Sequence, residues 1–182
     1  MRIVAGKYRH RLIDYPDDAQ HIRPTKDRIR EAIFNALGNI DGLKVLDLYA
    51  GSGAMGIEAL SRNAKKVTFV DINKISIDTI NKNLQSLDVL KSNFSVLFLD
   101  DLTALTNFKI RNEKFNLIFL DPPYKDGKYN LIISLLKEGI LDDKYIIVTE
   151  SNYPLEIDSS IYNKKKDYKY GEIYVSIMWG QI

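Results

Sequence analysis

K-V-L-D-L-Y-A-G-S-G-A-M-G-I-E-A-L-S-R-N-A, from Lys44 to Ala64, decides how this chain is read. Lys44 to Tyr49 is a short apolar run that favours a strand over a helix, and Ile57, Leu60 and Ala64 behind it fall at helical spacing. Between them Gly51, Gly53 and Gly56 permit a tight turn and close approach of backbone to a ligand. Their spacing matches the G-x-G-x-x-G dinucleotide fingerprint, and Asp71 lies twenty positions after Gly51, where a ribose-binding acid belongs. Asp47 argues against a dinucleotide. It ends the strand four places before the first glycine, where it would repel a pyrophosphate but attract a cationic ligand.

The 182 residues, 45% hydrophobic and 27% charged, fit one soluble domain with a sizeable core, residues 1–182, of which 1–24 form a basic arm. With no cysteine there are no disulfides and no thiol chemistry, and no apolar run reaches the length of a membrane span, so a cytoplasmic protein is expected. The net charge of +2 selects no partner, but its distribution does. Six of the eight arginines, Arg2, Arg9, Arg11, Arg23, Arg28 and Arg30, lie in the first thirty residues, while the rest of the chain relies on lysine. Concentrated arginine suggests planar, bidentate donors for phosphate oxygens; the bland alternative is a solvated tail.

Met1 to Ile13 suggests a small hairpin or extended arm, broken by Gly6. Arg23-Pro24 leads into Thr25 as N-cap of an amphipathic helix, Lys26 to Leu37, with Ile29, Ile33, Phe34 and Leu37 on one face. Strands are expected at Lys65 to Asp71, Phe94 to Leu99, Lys114 to Leu120 and Tyr145 to Glu150. Helices fall between them at Lys74 to Leu87, Leu102 to Phe108 and Tyr129 to Leu136. Two final strands, near Ser160 to Tyr168 and Glu172 to Trp179, have no helix between them. This order implies an α/β fold: a mostly parallel sheet with helices on both faces and an antiparallel pair at its end.

Ligands of such a sheet collect beyond the carboxyl ends of its strands, and Asp47, Asp71, Asp100 and Asp121 each fall there. Asp71 can accept from ribose hydroxyls and Asp100 from an adenine amine; singly, each acid could instead cap the following helix. A metal site from these acids is a weak competitor, since both histidines, His10 and His21, lie elsewhere. Asp121-Pro122-Pro123-Tyr124 discriminates most. Its prolines stiffen the loop and leave the Asp121 carboxylate and the Pro122 carbonyl as outward acceptors, with an aromatic ring next to them. That suits a flat base with an exocyclic amine.

Asp47-x-x-x-Gly51-x-Gly53 with Asp121-Pro-Pro-Tyr124 resembles the amino-methylating class I methyltransferases, which shifts the cofactor from NAD to S-adenosylmethionine (SAM). M-R-I-V-A-G-K-Y-R-H-R, R-P-T-K-D-R-I-R-E-A-I-F-N, the glycine stretch and K-Y-G-E-I-Y-V-S-I together resemble the RsmD family of bacterial 16S ribosomal RNA guanine-N2 methyltransferases, end to end. The resemblance implies a Rossmann-like class I fold and SAM contacts at Asp47, Tyr49, Gly51, Ser52, Gly53, Asp71, Ile72, Asp100, Asp101 and Asp121. It implies catalysis by Asp121, Pro122 and Tyr124, and RNA contacts at Arg2, Lys7, Arg9, Arg11, Arg23, Thr25, Arg28, Pro123 and Tyr124. The partner would be 16S rRNA in an assembling or assembled small subunit, bound by a metal-free monomer away from any membrane. Ile22, Asp71 and Tyr49 depart from the family's usual threonine, glutamate and phenylalanine. Two other classes compete: a DNA adenine-N6 methyltransferase, which would share Asp121-Pro-Pro-Tyr124 but generally carries an added recognition domain, and a non-catalytic RNA-binding module, which would leave the acid rim unexplained.

Overall fold

The computed structural model describes residues 1–16, 27–123 and 128–182. Seven strands form one sheet: β1 (Lys44–Leu48), β2 (Lys66–Asp71), β3 (Phe94–Phe98), β4 (Phe115–Leu120), β5 (Leu141–Ser151), β6 (Lys164–Tyr170) and β7 (Ile173–Gln181). Their order is β3-β2-β1-β4-β5-β7-β6. The first five run parallel, β7 is antiparallel to β5, and β6 is antiparallel to β7. The order turns back between β1 and β4, which opens a crevice beyond their carboxyl ends.

Helices cover both faces. On one, α1 (Asp27–Leu37), α2 (Ala54–Ser61) and α3 (Lys74–Ser86) pack with Val45, Phe69 and Phe119. The expected face of α1, Ile29, Ile33, Phe34 and Leu37, is buried there, and the Phe34 and Phe119 ring centroids lie 5.7 Å apart. On the other, α4 (Asp101–Ile110) and α5 (Tyr129–Lys137) close over Leu46, Ile118 and Ile147. With both faces covered, β1, β2 and β4 read as nearly unbroken apolar runs.

The sequence places most elements within two residues, with three informative differences. β5 starts at Leu141 rather than Tyr145, because Leu141 pairs with Phe115 ahead of an irregularity and regular pairing resumes at Leu117 with Ile146. The β6 strand starts at Lys164 rather than Ser160, since Asp158 accepts from the Ser160 N–H at 2.8 Å and winds 159–161 into a short 3₁₀ turn. Helix α4 begins at Asp101 and runs to Ile110 because Asp100 caps it, accepting from the Thr103 N–H at 2.9 Å. Thr25 and Lys26, the expected start of α1, lie outside the described residues.

Candidate functional site

The turn after β1 is built by its glycines and by Asp47. Gly53 has φ 76°, a left-handed conformation at the N-terminus of α2 that a Cβ would strain. At Gly56 a Cβ would stand 2.3 Å from Phe69 Cε1, so glycine alone lets the first turn of α2 lie this close to β2. Asp47 is buried, and its Oδ2 accepts from the Gly56 N–H at 2.9 Å. Burial drives its pKa up to about 7, with a smaller push from Asp71, against the pull of the Gly56 N–H.

Three acids converge on one face of the sheet at this rim. Asp47 pairs with Phe119 on β4, Leu120 pairs with Thr149 on β5, and the next step along both β4 and β5 brings Asp121 level with Glu150. Burial raises the Asp121 pKa well above the usual carboxylate range, and the charges of Glu150 and Asp47 add to the rise. Pro122 is buried and Pro123 exposed, so the first proline anchors the loop while the second stands in solvent. Tyr124 lies outside the described residues. Glu150, itself buried, is a member of the site that sequence reasoning misses. Its signal is present: it sits at the carboxyl end of the fifth strand, as the four aspartates do on theirs.

The other half of the rim is differently made. Asp71 Oδ2 accepts from the Gly51 N–H and its Oδ1 from the Asn73 N–H, both at 2.7 Å, which ties the glycine turn to the end of β2. Each carboxylate oxygen keeps a further lone pair for a ligand hydroxyl. Ile72 beside it is 71% exposed, an apolar surface at the mouth of the crevice. Asp100 also caps α4: Oδ1 takes the Thr103 N–H and Oδ2 the Thr103 hydroxyl at 2.7 Å. These bonds hold its pKa below the usual value, the side-chain bond contributing most. Asp101 points back to the turn, its Oδ2 accepting the Tyr49 hydroxyl at 2.6 Å with Lys128 Nζ at 3.8 Å. Tyr49 has φ 72°, costly for an aromatic residue, and this bond helps hold it there. Among the described residues no cluster of three or more His, Cys, Asp or Glu could hold a metal ion.

The amino-terminal arm is a hairpin, as the sequence suggests, with Arg2 bridged to Leu12. It is docked rather than free. Glu58 of α2, 1% exposed, accepts from the Val4 N–H at 2.8 Å and the Ala5 N–H at 3.0 Å, and Ile3, Tyr8 and Ile13 enter the core. Glu58 also pairs with Arg62 at 2.8 Å and Arg30 at 3.6 Å. Arg30, counted in the arginine cluster, is therefore buried structure: it donates to the Arg2 carbonyl and pairs with Asp27 at 2.9 Å. Arg2, Lys7, Arg9, Arg11 and Arg28 are exposed, and Arg11 donates to the Ser86 carbonyl at 2.7 Å. Arg23 and Thr25 lie outside the described residues. Tyr15, unmarked in the sequence, lies half-buried close to Ser52 of the glycine turn, and burial lifts its pKa to about 12. The arm thus meets the turn directly.

The crevice suits a cation that carries hydroxyls and a flat apolar group. The family model described as conserved hypothetical protein 95 matches residues 1–179. Over 153 residues the chain is 36% identical to the ribosomal RNA small subunit methyltransferase D of Escherichia coli K12, covering 83% of this chain and 74% of that protein. A hypothetical protein of Thermus thermophilus superposes with TM-score 0.81 at 25% identity, covering 100% of this chain and 99% of the other. A SAM-dependent methyltransferase of Agrobacterium tumefaciens shares the fold at TM-score 0.62 and 17% identity, over 87% of this chain and 63% of the other. Among the described residues no helix is long and apolar enough to cross a membrane. The chain belongs to the conserved hypothetical protein 95 family, the RsmD family of SAM-dependent methyltransferases that its terminal motifs resemble.

Proposed function

We propose that this protein methylates the exocyclic N2 amine of a guanine in small-subunit ribosomal RNA, using SAM, as a cytoplasmic enzyme. The observation that carries the reading is Asp121, held beside Asp47 and Glu150 at the reversal of the sheet and followed by a buried proline. Asp71, Ile72, the Gly51–Gly53 turn and Asp101 with Tyr49 are the residues that would hold SAM, which supplies the methyl group when bound. Asp47 fits that ligand, since a buried carboxylate is most easily kept ionised beside a cation.

The N2 lone pair of guanine is delocalised into the ring. Acceptors that draw on its hydrogens favour a tetrahedral nitrogen, and in this reading the Asp121 carboxylate and the Pro122 carbonyl take that role. Their interaction strengthens as positive charge grows on nitrogen in the transition state, which lowers the barrier. The nitrogen–carbon bond forms as the sulfur–carbon bond breaks, and the nitrogen becomes acidic only then, so no base is needed earlier. Asp121 can then take the proton, a task its raised pKa suits. Tyr124 would hold the extruded base by stacking. Transfer of labelled methyl to small-subunit RNA, with duplex DNA as control, tests the reading: label on RNA alone is expected, whereas label on DNA or on neither would overturn it.

A further inference from the structure

We propose that the β6–β7 hairpin is a second RNA-binding surface, on which unpaired bases flanking the target nucleotide stack against Tyr168 and Tyr170. This rests on the reading of the chain as an RNA methyltransferase. The edge strand β6 reads K-K-K-D-Y-K-Y from Lys164 to Tyr170. Tyr168 and Tyr170, two apart and therefore on one face, lie nearly parallel, with an interplanar angle of 11° and centroids 6.2 Å apart. Both are half-buried against the core, which fixes the rings while leaving part of each in solvent. Exposed Lys164 and Lys166 share that face, and Lys164 Nζ stands 5.0 Å from the Trp179 ring. The strand's single acid is turned away: Asp167 accepts from the Ser176 hydroxyl at 2.5 Å and pairs with Lys165 at 3.1 Å.

The register joins this surface to the reaction rim. Tyr168 pairs with Val175, and Val175 with Glu150, the residue level with Asp121. Paired residues of a sheet share a face, so Tyr168 lies on the same face as Asp121, three strand spacings or about 14 Å away. Since β6 runs parallel to β1, Tyr170 is at the rim end of its strand. An edge strand needs charge to discourage pairing with another chain, which could explain lysines alone. It does not call for a fixed pair of stacked rings at the rim, whereas a basic strip with aromatic platforms is what single-stranded RNA binds.

The test measures binding of the full-length protein to a short single-stranded RNA carrying the target guanine and to duplex RNA, across a salt series. Tyr168→Leu/Tyr170→Leu keeps apolar packing but removes the flat rings; it should weaken single-strand binding about tenfold, with Tyr168→Phe/Tyr170→Phe restoring it and SAM affinity unchanged. Lys164→Ala/Lys166→Ala, at exposed positions on the same face, should lower the salt slope by about 0.7 for each phosphate no longer neutralised. Parental affinity in the leucine pair, equal weakening in the leucine and phenylalanine pairs, or an unchanged salt slope would overturn the proposal. Methyl transfer by the parent is read alongside. Its absence would strike at the methyltransferase reading, while intact transfer with parental binding in every variant would remove only the second surface.

Discussion

The two halves of the acid rim treat their carboxylates in opposite ways. On the β2 and β3 side Asp71, Asp100 and Asp101 are each met by N–H or O–H donors: Asp71 by two backbone amides, Asp100 by Thr103, Asp101 by Tyr49. On the β1, β4 and β5 side the buried Asp47 and Glu150 crowd the half-buried Asp121, and although Asp47 accepts from the Gly56 N–H, both aspartates are pushed towards the protonated form by burial and by neighbouring acids. Donors satisfy a carboxylate and fix its direction, which is what holding a polar ligand requires. Crowded buried acids store unfavourable charge that a cation or a transferred proton relieves, which is what a site of chemistry requires. On the function proposed above, the rim divides into a binding half and a reacting half.

Replacement of Asp121 by alanine should break that division most severely. The single-turnover rate is expected to fall about a hundredfold or more, with SAM affinity by calorimetry nearly intact. A parental rate would show that the crowded half has no chemical role. Asp71→Ala should show the reverse pattern: SAM affinity about tenfold weaker or worse, because ribose contacts and the anchor of the Gly51 turn go together, with a smaller change in the rate at saturating SAM.

A pH profile sharpens the comparison further. Asp121 must be ionised to accept from the amine, and its raised pKa means the rate climbs as pH rises through that value. Glu150→Gln removes one of the charges that raise it, so the rising limb should move to lower pH, leaving a few-fold gain on the acid side and little change on the alkaline side. A limb that stays put, or moves up, would separate Glu150 from Asp121. Asp100→Ala should do least. It removes a helix cap, so the thermal midpoint should drop by no more than about 4 °C while SAM affinity holds; a large fall in affinity would return Asp100 to the cofactor.

Much of this is legible in the sequence because its signals are local. Glycines spaced 51, 53 and 56 between an apolar run and a helical pattern, an apolar run of strand length and two prolines after a strand each announce their structure within a few residues. Where the sequence misleads, the meaning of a residue depends on a partner it does not name. Arg30 reads as a phosphate donor beside Arg28, yet Glu58, in the helix behind the glycine turn, holds it in the core. Asp100 carries two readings that the sequence does not rank, helix cap and ligand acceptor, because both draw on the same strand-end acid; the structure shows the cap, with Thr103 three residues away as its partner. Glu150 escapes notice because a strand-end glutamate gains meaning only from what lies beside it.

By itself the sequence determined the order of the strands and helices, the acids at their ends and the family, since hydrophobic period, glycine spacing and proline placement act over short spans of chain. Only the tertiary structure decided which acids crowd together and which stand apart, which arginines face solvent, and that Tyr168 shares a line across the sheet with Asp121. Those properties arise from strand register and from the burial of charge, and both exist only once segments far apart in the chain are brought together.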